Sequence, residues 1–241
     1  MSLKMYSFKH RYSGMKYMLA DIFFPNRCPF CDDVISWTDA ACDECADSVE
    51  YFDGTISVCR KCGRSMCVCS EESFVTDRIY SGGYYANELR RAVLSMKYHK
   101  NENAAEFFAE VLFSQMKHDN FTDFDYIVPV PMNIKKERRR GYNQAEYLAE
   151  CIGKYIPDAQ IRNDLLVRKY SRRQQHDRNA EERHEAALAE YSAAEGVRLD
   201  GDKILLCDDI FTTGATVNRC ADLLKIMGAD SVTAAVCCIS G

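Results

Sequence analysis

Asp208 and Asp209 stand side by side at the end of an apolar run, Leu205-Leu206-Cys207, and lead into Ile210-Phe211-Thr212-Thr213-Gly214-Ala215-Thr216. A near-continuous apolar run of this kind reads as a strand buried on both faces, with the acids at its C-terminal end. In an open α/β sheet, ligands sit outside the carboxyl ends of the strands. The hydroxyl- and glycine-rich turn leaves backbone N–H groups free beside a helix N-terminus, which suits a phosphate. Two carboxylates repel that phosphate, so they accept from neutral hydroxyls or serve a cation. A ribose 5-phosphate satisfies both halves at once. A plainer reading, in which Asp209 and the threonines only cap a helix and turn, leaves the full strand–acid–acid–Thr-Thr-Gly-x-Thr order unexplained.

A second chemistry is carried by cysteine. Of 13 cysteines, eight fall between Cys28 and Cys69 in pairs: Cys28/Cys31, Cys42/Cys45, Cys59/Cys62 and Cys67/Cys69. Two thiolates on one tight turn reach a single ion, with Zn–S near ~2.3 Å, and two such pairs close a tetrahedron. Eight thiolates therefore predict two structural Zn2+ ions per chain. Sequential grouping, Cys28/Cys31 with Cys42/Cys45 and Cys59/Cys62 with Cys67/Cys69, is preferred, with an interleaved arrangement the alternative. A disulfide framework would need an exported protein, and nothing in the chain indicates export. The remaining Cys151, Cys207, Cys220, Cys237 and Cys238 lie in apolar segments and read as small buried hydrophobes.

The elements that must position these groups follow from periodicity. Lys203–Cys207 is the strand that carries the acids. Val217, Cys220, Leu224 and Met227 recur at helical spacing after the turn, and Gly228 is the expected C-terminal cap. Ile79–Ala86 reads as a strand entering the α/β domain. Helices follow over Asn87–Tyr98 and Glu102–Lys117. Asp125–Pro131 is a short strand whose prolines open a loop at 132–143. That loop holds Lys135, Lys136, Arg138, Arg139 and Arg140 before Gly141, Asn143 and Gln144. Gly141 permits the turn into a helix bearing Tyr147, Leu148 and Cys151. After a strand near Leu165–Val167 comes a polar, unpatterned stretch with Arg168, Arg172, Arg173, Gln175 and Arg183, about the length of an active-site lid.

Charge is segregated along the chain. The 241 residues carry a net charge of −5, yet residues 135–183 hold thirteen bases against eight acids. Those bases follow strand ends, so phosphate of a pyrophosphate or a nucleic acid is their expected partner, the plainer alternative being a solvated surface. Between Asp39 and Asp77 nine acids face three bases. Thiolate-bound zinc makes that module more negative still, which favours protein contact or architectural support over nucleic-acid binding. With 47% hydrophobic and 28% charged residues, the chain is globular rather than disordered. No run of 18 apolar residues occurs, so no membrane span is expected. Met15–Phe24 is expected to form a short amphipathic helix rather than a signal peptide, and a cytoplasmic location follows.

Residues 205–216 resemble the phosphoribosyl-pyrophosphate (PRPP) loop of the type I phosphoribosyltransferases. The resemblance implies that Asp208 and Asp209 hold the ribose 2′- and 3′-hydroxyls. Thr212, Thr213, Gly214, Ala215 and Thr216 would then cradle the 5-phosphate. Taken in order, the cysteine pairs, the Val-Pro-Val-Pro strand, Arg140-Gly141-Tyr142-Asn143-Gln144, the Gln175…Glu182-Arg183 lid and the PRPP loop resemble the ComF family from about Leu19 onward. That family implies an α/β fold, a type I phosphoribosyltransferase-like parallel sheet with flanking helices, preceded by a small Cys-rich zinc-ribbon module. The implied layout is an amphipathic helix over 1–25, a double zinc ribbon over 26–75 and the phosphoribosyltransferase-like domain over 76–241.

It further implies Mg2+ with PRPP as ligands and an association with DNA uptake in natural competence. Lys97 sits where the family has a lysine, and a solvated cation at a helix C-terminus is its alternative role. The chain departs from the family at Arg172, Arg178 and Ala186. Thr212 stands where 6-oxopurine phosphoribosyltransferases carry a carboxylate, so ordinary purine salvage is not expected. Two functions remain: a Mg-PRPP phosphoribosyltransferase whose acceptor and catalytic base are not evident, or a PRPP sensor or single-stranded-DNA-handling protein using the same basic loops. The uptake-machinery proteins are possible partners of either.

Overall fold

The computed structural model describes residues 25–36, 39–54, 56–65, 67, 69, 74–99, 101–169 and 188–240. The helix expected at Met15–Phe24 and the lid residues Arg172, Arg173, Gln175 and Arg183 lie outside them. A five-stranded parallel sheet forms the centre, built from β1 (Arg78–Ser81), β2 (Tyr126–Pro129), β3 (Gln160–Ile161), β6 (Lys203–Phe211) and β7 (Ser231–Ile239) in the order β1-β7-β6-β2-β3. A separate antiparallel pair joins β4 (Leu166–Arg168) to β5 (Tyr191–Ala193).

Side chains alternate across each strand, and the two faces bury different cores. Leu205 and Cys207 of β6 and Ala235 and Cys237 of β7 point into one core. There they meet α2 (Asn87–His99), α3 (Glu102–His118) and α5 (Gln144–Gly153). Ile204 and Leu206, with Ala234 and Val236, point into the other, which holds α6 (Ala215–Met227) and the β4–β5 pair. Both central strands are buried on both faces over most of their length, which is why β6 opens as a continuous apolar run at Ile204–Cys207.

Several elements differ from expectation, the short strands β3 and β5 being additions. β7 is an addition to the expected strands: Ser231–Ile239 is largely apolar, and it pairs with both β1 and β6 at the middle of the sheet. β1 ends at Ser81, short of Ala86. At Gly82 a Cβ would lie 2.6 Å from the Cys237 carbonyl oxygen, and the Gly82 N–H already donates to Val236 and Cys237. The regular ladder breaks there, and pairing with β7 resumes as a single bridge between Tyr84 and Ile239. The segment expected as a loop contains α4 (Ile134–Arg140): the Asn133 side chain accepts from the Lys135 N–H, and Gly141 closes the helix at φ 83°. Gly228 caps α6 in accord with expectation, its N–H donating to Leu224 and Lys225.

The N-terminal cysteine-rich segment includes α1 (Asp43–Ser48) and packs directly on this frame. Phe30 meets Phe107 of α3 edge-on at 5.0 Å. Asn103 Nδ2 donates to Asn26 Oδ1 and to the Arg27 carbonyl. Cys28, Phe30, Ala41 and Val49 thereby belong to the same core as the helices. Among the described residues no helix is long and apolar enough to cross a membrane.

Candidate functional site

β6 does not stop at the acids but runs through them to Phe211. Alternation therefore sends the two carboxylates to opposite sides of the sheet. Asp209 follows Leu205 and Cys207 towards α2, where Lys97 Nζ meets its Oδ2 at 2.7 Å, both side chains largely shielded from solvent. Lys97 is thus an ion-pair partner of the acid pair rather than a solvated helix-end cation. Asp208 follows Ile204 and Leu206 towards β4 and β5. Burial, and then the neighbouring Asp209 charge, push its carboxyl up to about 7, while Lys97 and Arg168 pull the other way. One Asp208 oxygen already accepts from the Asp209 N–H at 2.8 Å.

Arg168 is held in place from two sides. Its Nε donates to Glu190 at 3.1 Å, and its guanidinium lies 4.8 Å over the Tyr191 ring. Burial pushes the Tyr191 hydroxyl up to about 12, while Arg168 and Thr216 beside it pull the other way. Glu190 and Tyr191 are additions to the residues singled out from sequence. They sit on and beside the strand that pairs with Arg168, and only that pairing reveals them.

The turn after β6 exposes Thr212 and Thr213 and half-exposes Ala215 and Thr216. Gly214 enters α6 at φ 82°, a left-handed conformation, and no side chain caps the helix. A Cβ at Gly214 would lie 2.5 Å from the Phe211 ring and 3.0 Å from Phe74, so shape as well as φ selects glycine. The first i to i−4 bond of the helix runs from the Asn218 N–H to the Gly214 carbonyl. Of the amides before it, the Ala215 N–H donates to Thr213 Oγ1 at 3.4 Å, and the start of a helix of this kind is where an anion binds.

The basic segment divides into exposed and interior parts. Arg138, Arg139 and Gly141 are exposed. Asn143 and Gln144, expected among the phosphate-facing residues, are buried. Asn143 caps α5 through the Ala145 N–H and donates to the Val130 carbonyl, fixing the helix to the end of β2. Arg140 donates to Gln144 Oε1 at 2.7 Å and lies 5.5 Å over the ring of Tyr98, the neighbour of Lys97. Arg140 Nε and Gln144 Nε2 are buried donors with no hydrogen-bond partner among the described residues.

The thiols gather as consecutive pairs: Cys28, Cys31, Cys42 and Cys45 in one group, Cys59, Cys62, Cys67 and Cys69 in the other, with ligand atoms within 4.8 Å of one another in each. The shortest sulfur separations are 3.5 and 3.6 Å. These are near the ~3.8 Å edge of a tetrahedron with Zn–S of ~2.3 Å, and far beyond a disulfide bond of ~2.05 Å. Without an ion the thiols of a cluster cannot all ionise: against its burial, neighbouring groups draw Cys59 down to about 7, while burial first, then neighbouring cysteines, pushes Cys31 and Cys69 up to about 12. A divalent ion removes that conflict. The two four-thiol clusters fit two structural zinc ions.

Comparison with known proteins agrees with both halves. Residues 19–79 match the double zinc ribbon domain and residues 160–240 the phosphoribosyl transferase domain. Competence protein F of Haemophilus influenzae is 24% identical over 196 residues, covering 79% of this chain and 81% of its own. Competence protein ComFC of Streptococcus pneumoniae is 34% identical over 125 residues, 52% of this chain and 51% of its own. The DNA utilization protein YhgH of Escherichia coli K12 is 26% identical over 179 residues, 71% of this chain and 74% of its own. A double zinc ribbon packed against a parallel-sheet phosphoribosyltransferase domain, with similarity to competence-type proteins along most of the chain, agrees with the resemblance to the ComF family.

Proposed function

We propose that this protein binds Mg-PRPP at the end of β6 and acts as a phosphoribosyltransferase in the handling of incoming DNA. The observation that carries the reading is the division of Asp208 and Asp209 between two faces at the mouth of an uncapped turn, with Lys97 on one side and Arg168 on the other. The carboxylates accept hydrogen bonds from the ribose hydroxyls. The amides and hydroxyls of residues 212–216 hold the 5-phosphate. Lys97 and Arg168 supply positive charge for the pyrophosphate, and Arg140, whose Nε is an unpartnered donor, lies over the ring of Lys97's neighbour Tyr98. Mg2+, when bound, neutralises pyrophosphate charge and so weakens its hold on C1 of the ribose. In the transfer, the C1–O bond breaks with its electron pair leaving on pyrophosphate, and a lone pair of the acceptor forms the new bond. The acceptor's proton passes to water. Thr212 offers no carboxylate to a purine N7, which argues for an acceptor other than an oxopurine.

A second reading rests on a specific observation, the exposed Lys135, Lys136, Arg138 and Arg139 on a single helix. On it, PRPP is a signal and the basic helix holds single-stranded DNA through its phosphates. Pyrophosphate release separates the two. With Mg2+, PRPP and a panel of bases, amines and single-stranded DNA, acceptor-dependent release that disappears in Asp208→Asn/Asp209→Asn supports transfer. PRPP binding without release under any acceptor supports the sensor.

A further inference from the structure

Arg64 belongs to the second cysteine cluster, yet its side chain works in the other domain. The knuckle between Cys59 and Cys67 closes on itself: the Cys59 N–H donates to the Arg64 carbonyl at 2.9 Å, and the Gly63 N–H to the Cys59 carbonyl at 2.8 Å. From that knuckle Arg64 Nη2 donates to the Thr212 carbonyl at 3.2 Å, 148 residues away, and Nε to the Ser240 carbonyl at 3.3 Å. Ser240 completes the arrangement, its N–H donating to Phe211 and its hydroxyl to the same Thr212 carbonyl at 3.3 Å. Two donors thus hold one carbonyl at the first residue of the phosphate turn. The Thr212 carbonyl and the Thr213 N–H share one planar peptide and point opposite ways. Clamping the carbonyl therefore fixes where that N–H faces.

Neighbouring contacts tie the same two regions together. The Phe74 ring lies 5.6 Å from Phe211, and the Val75 N–H donates to Asn218 Oδ1 in the first turn of α6. Ser65 meets the Tyr84 hydroxyl with both its N–H and its own hydroxyl. A Cβ at Gly63 would sit 3.3 Å from both Ile239 and Ile79, so the knuckle is seated against β7 and β1.

We propose that Arg64 is a positioning residue for the phosphate turn, so that the Cys59/Cys62/Cys67/Cys69 cluster sets how well residues 212–216 are arranged for their ligand. The proposal rests on reading that turn as the PRPP 5-phosphate cradle. The ribbon on this account is part of the ligand site's architecture, although none of its cysteines belongs to the site.

The test uses the full chain with Arg64→Met, which keeps the aliphatic stem and removes the donors. Arg60→Ala is the comparison. Arg60 sits in the same knuckle but faces Asp119 at 2.9 Å, Gln115 and the Tyr80 ring, away from the turn. Amide hydrogen exchange over residues 211–218 without ligand, zinc content and Mg-PRPP affinity are measured on each. Arg64→Met is expected to keep both zinc ions, to exchange faster in the turn and to bind PRPP about tenfold more weakly, the scale of one charge-assisted hydrogen bond. Arg60→Ala should lower the melting temperature yet leave turn exchange and affinity near wild type. Wild-type exchange over 211–218 in zinc-replete Arg64→Met overturns the proposal. If Arg64→Met loses zinc, Arg64→Gln decides by the same exchange measurement: its amide nitrogen ends where Nε of Arg64 lies and loses the reach to the Thr212 carbonyl, so faster exchange supports the clamp and wild-type exchange overturns it. Failure of the wild-type protein to bind PRPP would remove the ligand assignment alone, because ligand-free exchange still reads the clamp.

Discussion

Asp208 and Asp209 are one residue apart and face two different environments, and their chemistry differs accordingly. Asp209 is ion-paired with Lys97. Asp208 is crowded by burial and by Asp209, and its carboxyl sits at about 7, far above the ordinary carboxylate range. A protonated Asp208 accepts poorly from a ribose hydroxyl, so Mg-PRPP affinity should rise with pH between about 6 and 8; titration calorimetry across that range checks this. A flat profile would show that Asp208 does not contact the ligand in its ionised form. Lys97→Met removes a charge that draws Asp208 down, so the midpoint of the profile should move to higher pH. The sign for stability is the reverse. The folded state holds the Asp208 proton more tightly than the unfolded chain, so the ligand-free protein loses this contribution as pH rises from about 4 to about 7. Asp208→Asn keeps an oxygen for the Asp209 N–H and removes the buried charge. It should raise the melting temperature at pH 8 by a few degrees while abolishing PRPP binding, as expected where function holds a destabilising group in place.

At the scale of elements, the turn from β6 into α6 is set by shape. Gly214→Ala must place a Cβ against the Phe211 and Phe74 rings and hold a left-handed φ. The backbone alone costs ~1–2 kcal/mol, and the ring contacts add to it. Thermal unfolding should show that loss, with PRPP affinity falling at least about tenfold as the amides turn away. The acid-bearing strand and the helices over 87–99 and 102–118 are legible in sequence, because β6 opens as an unbroken apolar run and the helices keep a one-sided apolar stripe. The acids' division between faces is not, because the apolar run ends before them while the strand continues to Phe211. β7 is legible in principle from Ser231–Ile239. The short helix α4 hides behind its basic residues, although Asn133 and Gly141 are the cap signals for it. Asn143 and Gln144 resemble ligand residues in sequence yet are interior. Burial and the Val130 carbonyl decide that, and neither is local information.

At the scale of the molecule, the cysteine-rich segment and the α/β domain share core residues and hydrogen bonds rather than a linker. Cys28 and Phe30 pack in the α2–α3 core, Arg91 Nη1 donates to the Phe30 carbonyl, and Arg60 and Arg64 reach into β1's surroundings and the phosphate turn. The cysteine spacing makes both clusters legible, but this integration depends on contacts between residues far apart in the chain. Metal analysis should give two zinc ions per chain. Chelation should lower the melting temperature of the α/β domain as well as unfold the ribbon, because the buried Phe30 alone contributes ~1.5–3 kcal/mol to the shared core. The central claim, that the acid pair and the turn after it form a Mg-PRPP site, is tested most directly by calorimetric titration of PRPP with Mg2+ into the zinc-replete wild-type protein and into Asp208→Asn/Asp209→Asn. Saturable one-to-one binding that the double substitution removes, with the fold and both zinc ions intact, is the expected result. Equal binding by both proteins, or no binding by the wild type, would contradict it.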